Sequence, residues 1–374
     1  MTAVYEELGL PAAVNANGKM TALGGSVLSD AVVAAMGEAA RSHVVMDRLL
    51  EAAGAELARA AGTEDACPTT GAAAGIAISV AALIAGTDPY RVERLPDACG
   101  APDEVVLPKG HAVHFGAPVR QMVALGGGRA VEAGEVNKMR AEHLAGAIGD
   151  RTAALLYVQS HHTVQKGMVS LAETVRVGRA HGVPVIVDAA AEEDLRAWPA
   201  TGADLVVYSG GKAVGGPTSG MICGPSRLIR ACRAQYGGIG RPMKVGKETV
   251  LGLVHAVREH TARAGAAAEE AERQRLRMAE LARRLGELPG LTADVVRDEA
   301  GRLIHRAQLT VDPEQAGRDA AGLAAELAGG DPPVFLRDHH ATSGRLSVDP
   351  RTLGPEDEEL LVRRLTSLLH GEPA

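Results

Sequence analysis

Three short apolar runs rich in β-branched residues lie between residues 183 and 224, and they constrain the fold more than any other part of the sequence. The runs occupy residues 185–187, 205–208 and 219–223, and glycine, proline or polar residues separate them. Apolar runs of this length between turn-forming residues are typical of buried strands. The sequence therefore predicts strand, loop, strand, loop and strand in succession.

Polar side chains with complementary chemistry follow the first two of these strands. Asp188 follows the first, and Ser209 and Lys212 follow the second. Alone, such an aspartate often only forms a turn, and such a lysine is usually a solvated loop charge. Together they are the groups that pyridoxal 5'-phosphate (PLP) requires: a carboxylate for the ring nitrogen, an amine for a Schiff base and a hydroxyl for the phosphate. We therefore predict a PLP site built on these three residues.

Strands with the same character are predicted at residues 104–107 and 152–158, and helical patterns separate them from the later strands. This alternation is typical of a mainly parallel sheet that helices cover on both faces. Ligands of such sheets bind at the carboxyl ends of the strands. Three histidines also lie just beyond predicted strand ends, namely His111, His161 and His162. The sequence therefore predicts these histidines near the cofactor.

Helical periodicity and capping residues predict the remaining elements. Helices are predicted at residues 29–43, 44–61, 76–84, 114–124, 135–148, 171–181, 225–235, 248–287, 313–328 and 355–370. Strands are also predicted at residues 292–296, 303–311 and 334–337. The chain is long enough to divide into two domains.

Composition and charge restrict the classes of partner. One Trp and two Phe leave a core of aliphatic side chains, and the net charge of −7 argues against a nucleic-acid surface, which needs clustered Lys and Arg. Four cysteines without a C-x-x-C pair suit a reducing compartment. The sequence shows no signal-peptide pattern and no apolar run of membrane-spanning length. We therefore predict a cytoplasmic protein without nucleic-acid or membrane partners.

Segments along nearly the whole chain resemble the fold-type I PLP enzymes, and within them the family of selenocysteine synthase and the D-glucosaminate-6-phosphate ammonia-lyase-like proteins. The matching segments are VNANGKMTALGG (14–25), TTGAAAGIAISVAALIAG (69–86), VEAGEVNK (131–138), VPVIVDAAAEEDL (183–195), DLVVYSGGKAVGGPTSGMICG (204–224), GGIGRPMKVGKE (237–248) and PPVFLR (332–337). The resemblance implies an α/β protein with the aspartate aminotransferase-like fold type I. It also implies PLP as cofactor and a homodimer or higher homo-oligomer.

The resemblance implies three regions of the chain. Residues 1–25 are expected to form an N-terminal arm that lies over the active-site mouth of a neighbouring subunit. Residues 26–247 are expected to form a large PLP-binding domain with a mainly parallel sheet. Residues 248–374 are expected to contain a linking helix and a smaller α+β domain.

Cofactor-binding residues follow from the same resemblance. Thr70, Gly71 and Ala72 open an apolar helix and are expected to bind the phosphate, because a helix start offers free backbone N–H groups and a favourable dipole. His111 is expected to stack on the ring and to act in catalysis with Asp188 and Lys212, with His114 as the alternative ring partner. Three more residues are expected at the cofactor, namely Ser160, His162 and Gly238.

Substrate-binding residues are expected at Asn17, His161, Arg241, Lys244 and Arg337. Arg337 suits a carboxylate because its guanidinium can bind both oxygens, and Arg345 is the alternative. The bases of the 241–247 loop favour an anionic substrate. No metal is predicted, because the adjacent histidines at 161 and 162 have no third ligand at suitable spacing.

The predicted reaction begins at the Cα atom of an amino acid or amino-sugar acid. Lys212 is expected to give up its Schiff base to the substrate amine and then to take the Cα proton. The resemblance favours α,β-elimination of the ammonia-lyase type or β-replacement. Three alternatives remain: an aminotransferase or racemase, a tRNA-dependent selenocysteine synthase, and a non-catalytic protein with this fold. Against the tRNA enzyme, the chain is acidic and leaves no room for an added N-terminal tRNA-binding region before residue 14.

Overall fold

The computed structural model describes residues 3–160, 162–299 and 301–370. Two compact units are present in the chain. The central unit contains Leu28–Ala262, and the terminal unit combines Met1–Val27 with Arg263–Ala374.

Twelve strands are present in the described residues. They are β1 (Val14–Ala16), β2 (Asp65–Thr69), β3 (Glu104–Pro108), β4 (Arg129–Ala133), β5 (Thr152–Val158), β6 (Val185–Asp188), β7 (Leu205–Ser209), β8 (Gly220–Gly224), β9 (Leu291–Arg297), β10 (His305–Val311), β11 (Val334–Leu336) and β12 (Arg345–Val348).

Fourteen α-helices are present in the described residues, and one of them, α4, is apolar on all sides. They are α1 (Ala3–Glu6), α2 (Asp30–Ala40), α3 (Met46–Ala61), α4 (Ala72–Ala85), α5 (Pro89–Arg94), α6 (Val119–Leu125), α7 (Ala141–Gly146), α8 (Leu171–His181), α9 (Ser226–Ala234), α10 (Lys247–Arg263), α11 (Ala267–Leu285), α12 (Pro313–Ala316), α13 (Ala320–Ala328) and α14 (Pro355–His370). None of them combines the length and apolar character that crossing a lipid bilayer requires.

The central unit is built on a seven-stranded sheet in the order β2-β8-β7-β6-β5-β3-β4. Strands β4, β3, β5, β6 and β7 pair in parallel, and within this sheet β8 pairs antiparallel with both β7 and β2. Successive residues of β6 point to opposite faces, so Val187 lies in one apolar core and Ile186 in the other. Helices α3, α8 and α10 contribute to the first core, and α4, α6 and α9 contribute to the second. The predicted mainly parallel α/β sheet is confirmed.

Local sequence signals explain where several helices begin and end. Ser29 accepts a hydrogen bond from the Val32 N–H and caps α2, as predicted. Ser170 and Glu173 form a capping box at the start of α8, which has the predicted bounds. Gly182 ends that helix with φ of 68°, a left-handed conformation that glycine adopts without strain.

Four predicted helices are shorter or interrupted in the structure. The helix expected over 114–124 is only α6, because Gly116 has φ of 108° and Pro118 precedes the first turn. The helix expected over 135–148 is only α7, since residues 135–138 form a turn. The helix expected over 248–287 divides into α10 and α11 at a 3-10 turn. The helix expected over 313–328 divides into α12 and α13 at Gly317, where φ is 68°.

The terminal unit contains two small sheets and its own apolar core. Strands β12, β10 and β9 form an antiparallel sheet, and β1 pairs in parallel with β11. Apolar side chains of α11, α13 and α14 pack with these strands. Residues 14–16, which were expected to belong to an N-terminal arm, therefore form a strand of this unit. Helix α10 contributes buried side chains to the central unit, although it was predicted with the linking helix.

Candidate active site

Four neighbouring strands of the central sheet bring the predicted site residues to one edge. In the order β7-β6-β5-β3 these strands are adjacent and parallel. Strand β6 ends at Asp188, and the other three strands are followed by Lys212 (β7), Ser160 (β5) and His111 (β3). The strand register puts Val158 opposite Asp188 and Asp188 opposite Val207. The chain segments that carry residues predicted from separate motifs therefore meet at a common edge of the sheet.

The antiparallel strand β8 extends this edge toward the start of α4. Gly220 pairs with Ser209 on one side and with Thr69 on the other. Adjacent strands lie about 4.8 Å apart, so Thr69 and Ser209 are separated by about 10 Å across the ladder. The predicted phosphate-binding segment, which begins at Thr70, therefore lies two strands away from Ser209.

Asp188 has the environment of a buried acid. The residue is 6% exposed, and in the described residues its carboxylate accepts one hydrogen bond, from the Ala190 N–H to Oδ1 at 3.1 Å. Burial raises the pKa of this carboxyl group to about 6, although the backbone hydrogen bond and the positive charge of Lys212 act in the opposite direction. The other oxygen, Oδ2, can still accept a hydrogen bond from a ligand.

Removing the Asp188 charge is expected to stabilise the cofactor-free protein. The folded-state pKa of about 6 exceeds the ordinary value of 3.8. Protonated Asp188 therefore contributes fully to the folding stability below pH 3.8, and this contribution is lost as the pH rises through 6. At about 1.4 kcal/mol per pKa unit, Asp188→Asn should raise the free energy of unfolding at pH 7.5 by about 1–3 kcal/mol. Urea unfolding at pH 4 and 7.5 measures the difference, and a variant that is less stable at pH 7.5 contradicts the expectation.

Lys212 lies in a loop whose two ends are tied together. The Gly210 N–H donates to the Ser219 carbonyl at 2.8 Å, and the Gly216 N–H donates to the Gly210 carbonyl at 2.7 Å. A Cβ atom on Gly210 would lie 2.1 Å from Ser219 Oγ, so only glycine permits this approach. The Lys212 side chain is half-buried, and its charge acts on Asp188. The structure therefore brings together the predicted amine and carboxylate.

The start of α4 forms a compact turn against β8. Thr69, which is fully buried, donates its hydroxyl hydrogen to the Gly71 carbonyl at 2.9 Å. A Cβ atom on Gly220 would lie 2.7 Å from the Gly71 carbonyl carbon, so this glycine allows the turn to approach. Nothing lies within 4 Å of a Cβ atom on Gly71 itself. The predicted phosphate-binding residues Thr70 and Ala72 are half-buried around this open side.

Sequence reasoning missed Thr69 and Gly220 as residues that shape this turn. Both lie in strands that pair through β8, and a pairing between residues 69 and 220 leaves no local signal. The flanking small residues of the TTGAAAG and TSG segments were the only indication in the sequence. Their packing supports an anion site at the N-terminus of the 14-residue α4.

His111 lies within the core rather than on the open edge. Its Nδ1 atom accepts a hydrogen bond from the Val158 N–H at 3.3 Å, and its ring meets the Tyr157 ring edge-on with centroids 4.6 Å apart. Burial lowers the pKa of His111 to about 4, so the ring is neutral at pH 7. With 1% of the residue exposed, neither ring face is open in this arrangement. Stacking on the cofactor by His111 stays a prediction, and the alternative, His114, is exposed.

The loop after β5 carries three further predicted residues. Ser160 Oγ accepts a hydrogen bond from the His162 N–H at 3.2 Å. The Ser160 carbonyl accepts from the Thr163 hydroxyl at 2.7 Å and from Gln165 Nε2 at 2.8 Å, which folds the loop back on itself. His162 is exposed, and His161 lies outside the described residues.

The 237–248 loop, which carries three predicted residues, lines a separate cavity of about 710 Å³ in the central unit. Arg241 and Lys244 belong to the lining, together with residues of α3 and α9, whereas Asp188 and Lys212 do not. Gly238 packs against α5, where a Cβ atom would lie 2.3 Å from the Val92 carbonyl oxygen. The cavity therefore does not join Arg241 and Lys244 to Asp188 and Lys212 of the same chain.

Asn17 and Arg337 lie together in the terminal unit. Arg337 Nη1 donates to the Asn17 carbonyl at 3.4 Å, and Asn15 Oδ1 accepts hydrogen bonds from the N–H groups of Asn17 and Gly18. Arg345, the alternative carboxylate ligand, is half-buried in β12.

The residues at the sheet edge fit PLP. A buried carboxylate with one open oxygen suits a protonated ring nitrogen, and the open turn at α4 suits a phosphate. The half-buried amine of Lys212 lies close enough to affect the pKa of that carboxylate. Ser209 ends β7, the strand from which the Lys212 loop begins.

Known proteins match this chain over most of its length. The sequence profile of the family described as L-seryl-tRNA selenium transferase matches residues 13–282. A 5'-C-glycyluridine monooxygenase-decarboxylase from a Streptomyces species is 57% identical over 376 residues, covering 99% of this chain and 93% of the relative. A D-glucosaminate-6-phosphate ammonia lyase from Salmonella typhimurium is 44% identical over 366 residues, covering 98% of this chain and 97% of the relative.

Solved structures share the fold. A structure of D-glucosaminate-6-phosphate ammonia-lyase has a TM-score of 0.90 at 44% identity, covering 98% of each chain. N-Succinyldiaminopimelate aminotransferase from Mycobacterium tuberculosis has a TM-score of 0.57 at 21% identity, covering 98% of this chain and 96% of that structure, and its likeness concerns the fold alone. The predicted fold type I is confirmed.

Proposed function

Because the chain belongs to the L-seryl-tRNA selenium transferase family, we propose that it is a PLP-dependent enzyme in which Lys212 holds the cofactor and Asp188 pairs with the ring nitrogen. The family agrees with the resemblance that the sequence motifs predicted. The buried Asp188 carboxylate beside the Lys212 amine is the observation that supports this function most directly.

Bound PLP supplies an electron-accepting ring that stabilises negative charge at the Cα atom of an attached amine. Asp188 keeps the ring nitrogen protonated, because a buried carboxylate gains most from a nearby positive charge. The backbone N–H groups at the start of α4 and the Ser209 hydroxyl hold the phosphate. Lys212 would hold the cofactor and would take the Cα proton as general base.

The substrate that we propose is a small α-amino acid with an oxygen on the β carbon and a polar, sugar-derived side chain. Serine, D-glucosaminate and 5'-C-glycyluridine, which the names of the family and its relatives contain, all carry an amine on one carbon and an oxygen on the next. Arg337 is proposed to bind the carboxylate. Asn17 is proposed to bind the substrate beside it.

Ammonia-lyase-type α,β-elimination is the reaction that we propose. Lys212 takes the Cα proton, the β oxygen leaves as water, and water then releases the nitrogen. The net products are a 2-keto acid and ammonia, with atoms in balance and no oxidant. The 44% identity to an ammonia lyase across nearly the full chain supports this reaction.

Oxidative decarboxylation is the second candidate, and the 57% identity to a monooxygenase-decarboxylase favours it. In this reaction the substrate and O₂ give a carboxamide, CO₂ and water, which balances without a further reductant. The same residues would bind and deprotonate the substrate, since both reactions weaken a bond at Cα. The reactions then differ in the bond that breaks: elimination expels the β oxygen, whereas oxidative decarboxylation releases the carboxylate as CO₂ and passes electrons to O₂.

One experiment separates the two reactions. The holoenzyme is incubated with D-glucosaminate 6-phosphate and with 5'-C-glycyluridine, in air and under nitrogen. We expect ammonia and a 2-keto acid at equal rates in both atmospheres. Oxygen uptake with CO₂ release would replace elimination by the second candidate, and conversion of the cofactor to its amine form would indicate an aminotransferase. The absence of any product from both compounds would contradict the proposed substrate class.

The 237–248 loop is proposed to act at the site of a neighbouring subunit in a homo-oligomer. The cavity that Arg241 and Lys244 line does not include Lys212 of the same chain, which supports a role across an interface. Gly238 and the two bases are proposed to contribute there to cofactor and anion binding. A cytoplasmic location also stays a prediction.

A further inference from the structure

A buried cluster of charges surrounds Arg337 in the terminal unit. We call it the Arg337 cluster, and its members are Asp298, Arg302, Arg306, Arg337, Asp349 and Arg351. Asp298 accepts hydrogen bonds from Arg302 Nε at 2.8 Å and from Arg306 Nη1 at 2.7 Å. Asp349 accepts from Arg306 Nε at 2.9 Å and from Arg351 Nε at 2.8 Å. Four guanidinium groups thus face two carboxylates, and the cluster carries excess positive charge.

Arg337 is the arginine of the cluster that no described carboxylate pairs with. None of the ion pairs within the described residues includes it, and its one described side-chain hydrogen bond is the 3.4 Å contact with the Asn17 carbonyl. Its backbone is fixed, because Arg337 and Ser347 exchange two N–H to carbonyl hydrogen bonds of 2.9 Å. Burial, and then the charge of Arg306, lower the pKa of Arg337 to about 10. An anionic ligand would offset both the burial of the Arg337 charge and its repulsion by Arg306.

Asp349 connects this arginine to the N-terminal turn. It is fully buried, and its N–H donates to the Ala16 carbonyl at 2.8 Å. Gly18, with φ of 91°, lies so close that a Cβ atom would be 2.9 Å from Asp349 Cγ. The Asn17 carbonyl that receives the Arg337 hydrogen bond therefore lies between two contacts with Asp349. Hydrogen bonds from Arg351 and Arg306 outweigh the effect of burial and lower the pKa of Asp349 to about 2, so it is ionised at neutral pH.

We propose that Asp349 is a positioning residue: by holding the turn at residues 15–18 together with the guanidinium groups of Arg306 and Arg351, it orients the Arg337 guanidinium to bind the carboxylate of the substrate. The proposal rests on the proposed function, which requires a substrate with an α-carboxylate. Asp349 does not touch the substrate and acts through Arg337. Its removal would leave the guanidinium charge in place but without a fixed direction.

Asp298 provides a matched control. Like Asp349, it is a buried carboxylate that binds Arg306, so Asp298→Asn removes the same charge from the same cluster. Its described contacts are with Arg302, Arg306 and the backbone of its own loop, and none is with the turn at residues 15–18. The two variants therefore separate loss of charge from loss of orientation.

The test compares amines that carry an α-carboxylate with related amines that lack it. Holoenzymes of the wild type, Asp349→Asn and Asp298→Asn are titrated with serine and ethanolamine, and with D-glucosaminate 6-phosphate and D-glucosamine 6-phosphate, while the visible spectrum of the cofactor reports binding. The wild type should prefer each carboxylate by about tenfold or more, as a charge-assisted hydrogen-bond pair allows. Asp349→Asn should lose most of this preference, and KM for a reacting carboxylate should rise while kcat changes by less than about threefold. Asp298→Asn should keep the preference.

Each other outcome is decisive. A wild-type preference that Asp349→Asn retains overturns the positioning role, and so does equal loss in both variants. A wild type that binds both members of each pair equally overturns it as well. If serine and D-glucosaminate 6-phosphate both leave the cofactor band unchanged, or if no band exists, the proposed function has failed, which the spectrum shows before any variant is compared. Should Asp349→Asn not fold, Gly18→Ala displaces the same turn and should reduce the same preference.

Discussion

Replacing Lys212 with alanine is expected to abolish turnover, lowering kcat by about 10⁴-fold or more, the upper range for a positioned acid–base group. The effect is large because one amine holds the cofactor and takes the Cα proton. The visible absorbance of the Schiff base should disappear in the same variant, while the cofactor can still bind through its phosphate. Absorbance spectra and single-turnover rates measure the two effects.

The matched control is Lys138→Ala. Lys138 is exposed in the turn at residues 135–138, which follows β4, four strands along the sheet from β7, so its removal should leave both the rate and the spectrum unchanged. Wild-type activity in Lys212→Ala would contradict the assignment of the amine. Loss of activity in both variants would point to a general sensitivity of the fold instead.

Asp188→Asn is expected to lower kcat by about 10²–10³-fold, the range seen when one electrostatic stabiliser is removed from a site. An amide cannot keep the ring nitrogen protonated. The ring would then be a poor acceptor for the negative charge that develops at Cα. The variant should nevertheless be more stable than the wild type without cofactor, as argued above from the raised pKa of Asp188. A substitution that lowers activity but raises stability indicates that the original side chain is retained for function.

Asp204→Asn is the control for this substitution. Asp204 Oδ2 accepts a hydrogen bond from the Val185 N–H at 2.9 Å, at the amino end of β6, whereas Asp188 lies at its carboxyl end. Asp204→Asn should therefore change stability without a comparable loss of kcat. Equal activity losses at both ends would show that the Asp188 effect is structural.

The inner strands of the central sheet could be predicted because burial on both faces leaves a direct signal in the sequence. Strands β5, β6 and β7 are continuous apolar runs, and polar residues at or just after their ends indicate the carboxyl edge of the sheet. Strand β2 carries no such signal, since Asp65 and Pro68 interrupt it. Proline is tolerated there because β2 is the edge strand of the sheet.

Contacts between distant segments explain the parts of the site that sequence patterns did not reveal. Strand β1 has three residues and pairs with β11, more than 300 positions later. Three residues are too few to show the alternating pattern that predicts a strand. Arg337 was predicted from its own strand, but its dependence on Asp349 arises only when β12 ends beside the N-terminal turn. His111 looked like a ring partner by position, whereas tertiary packing against Tyr157 decides where its side chain lies.

The antiparallel return of β8 has a consequence for how this family can diversify. The Lys212 loop leaves the sheet along β7 and re-enters beside it along β8, so the amine is anchored at both ends of its loop. The segments after β3 and β5 lead instead to helices α6 and α8, so substitutions there are expected to leave the Lys212 loop in place. Relatives named as a lyase, a transferase and a monooxygenase-decarboxylase match this chain, so a scaffold of this kind is compatible with more than one reaction.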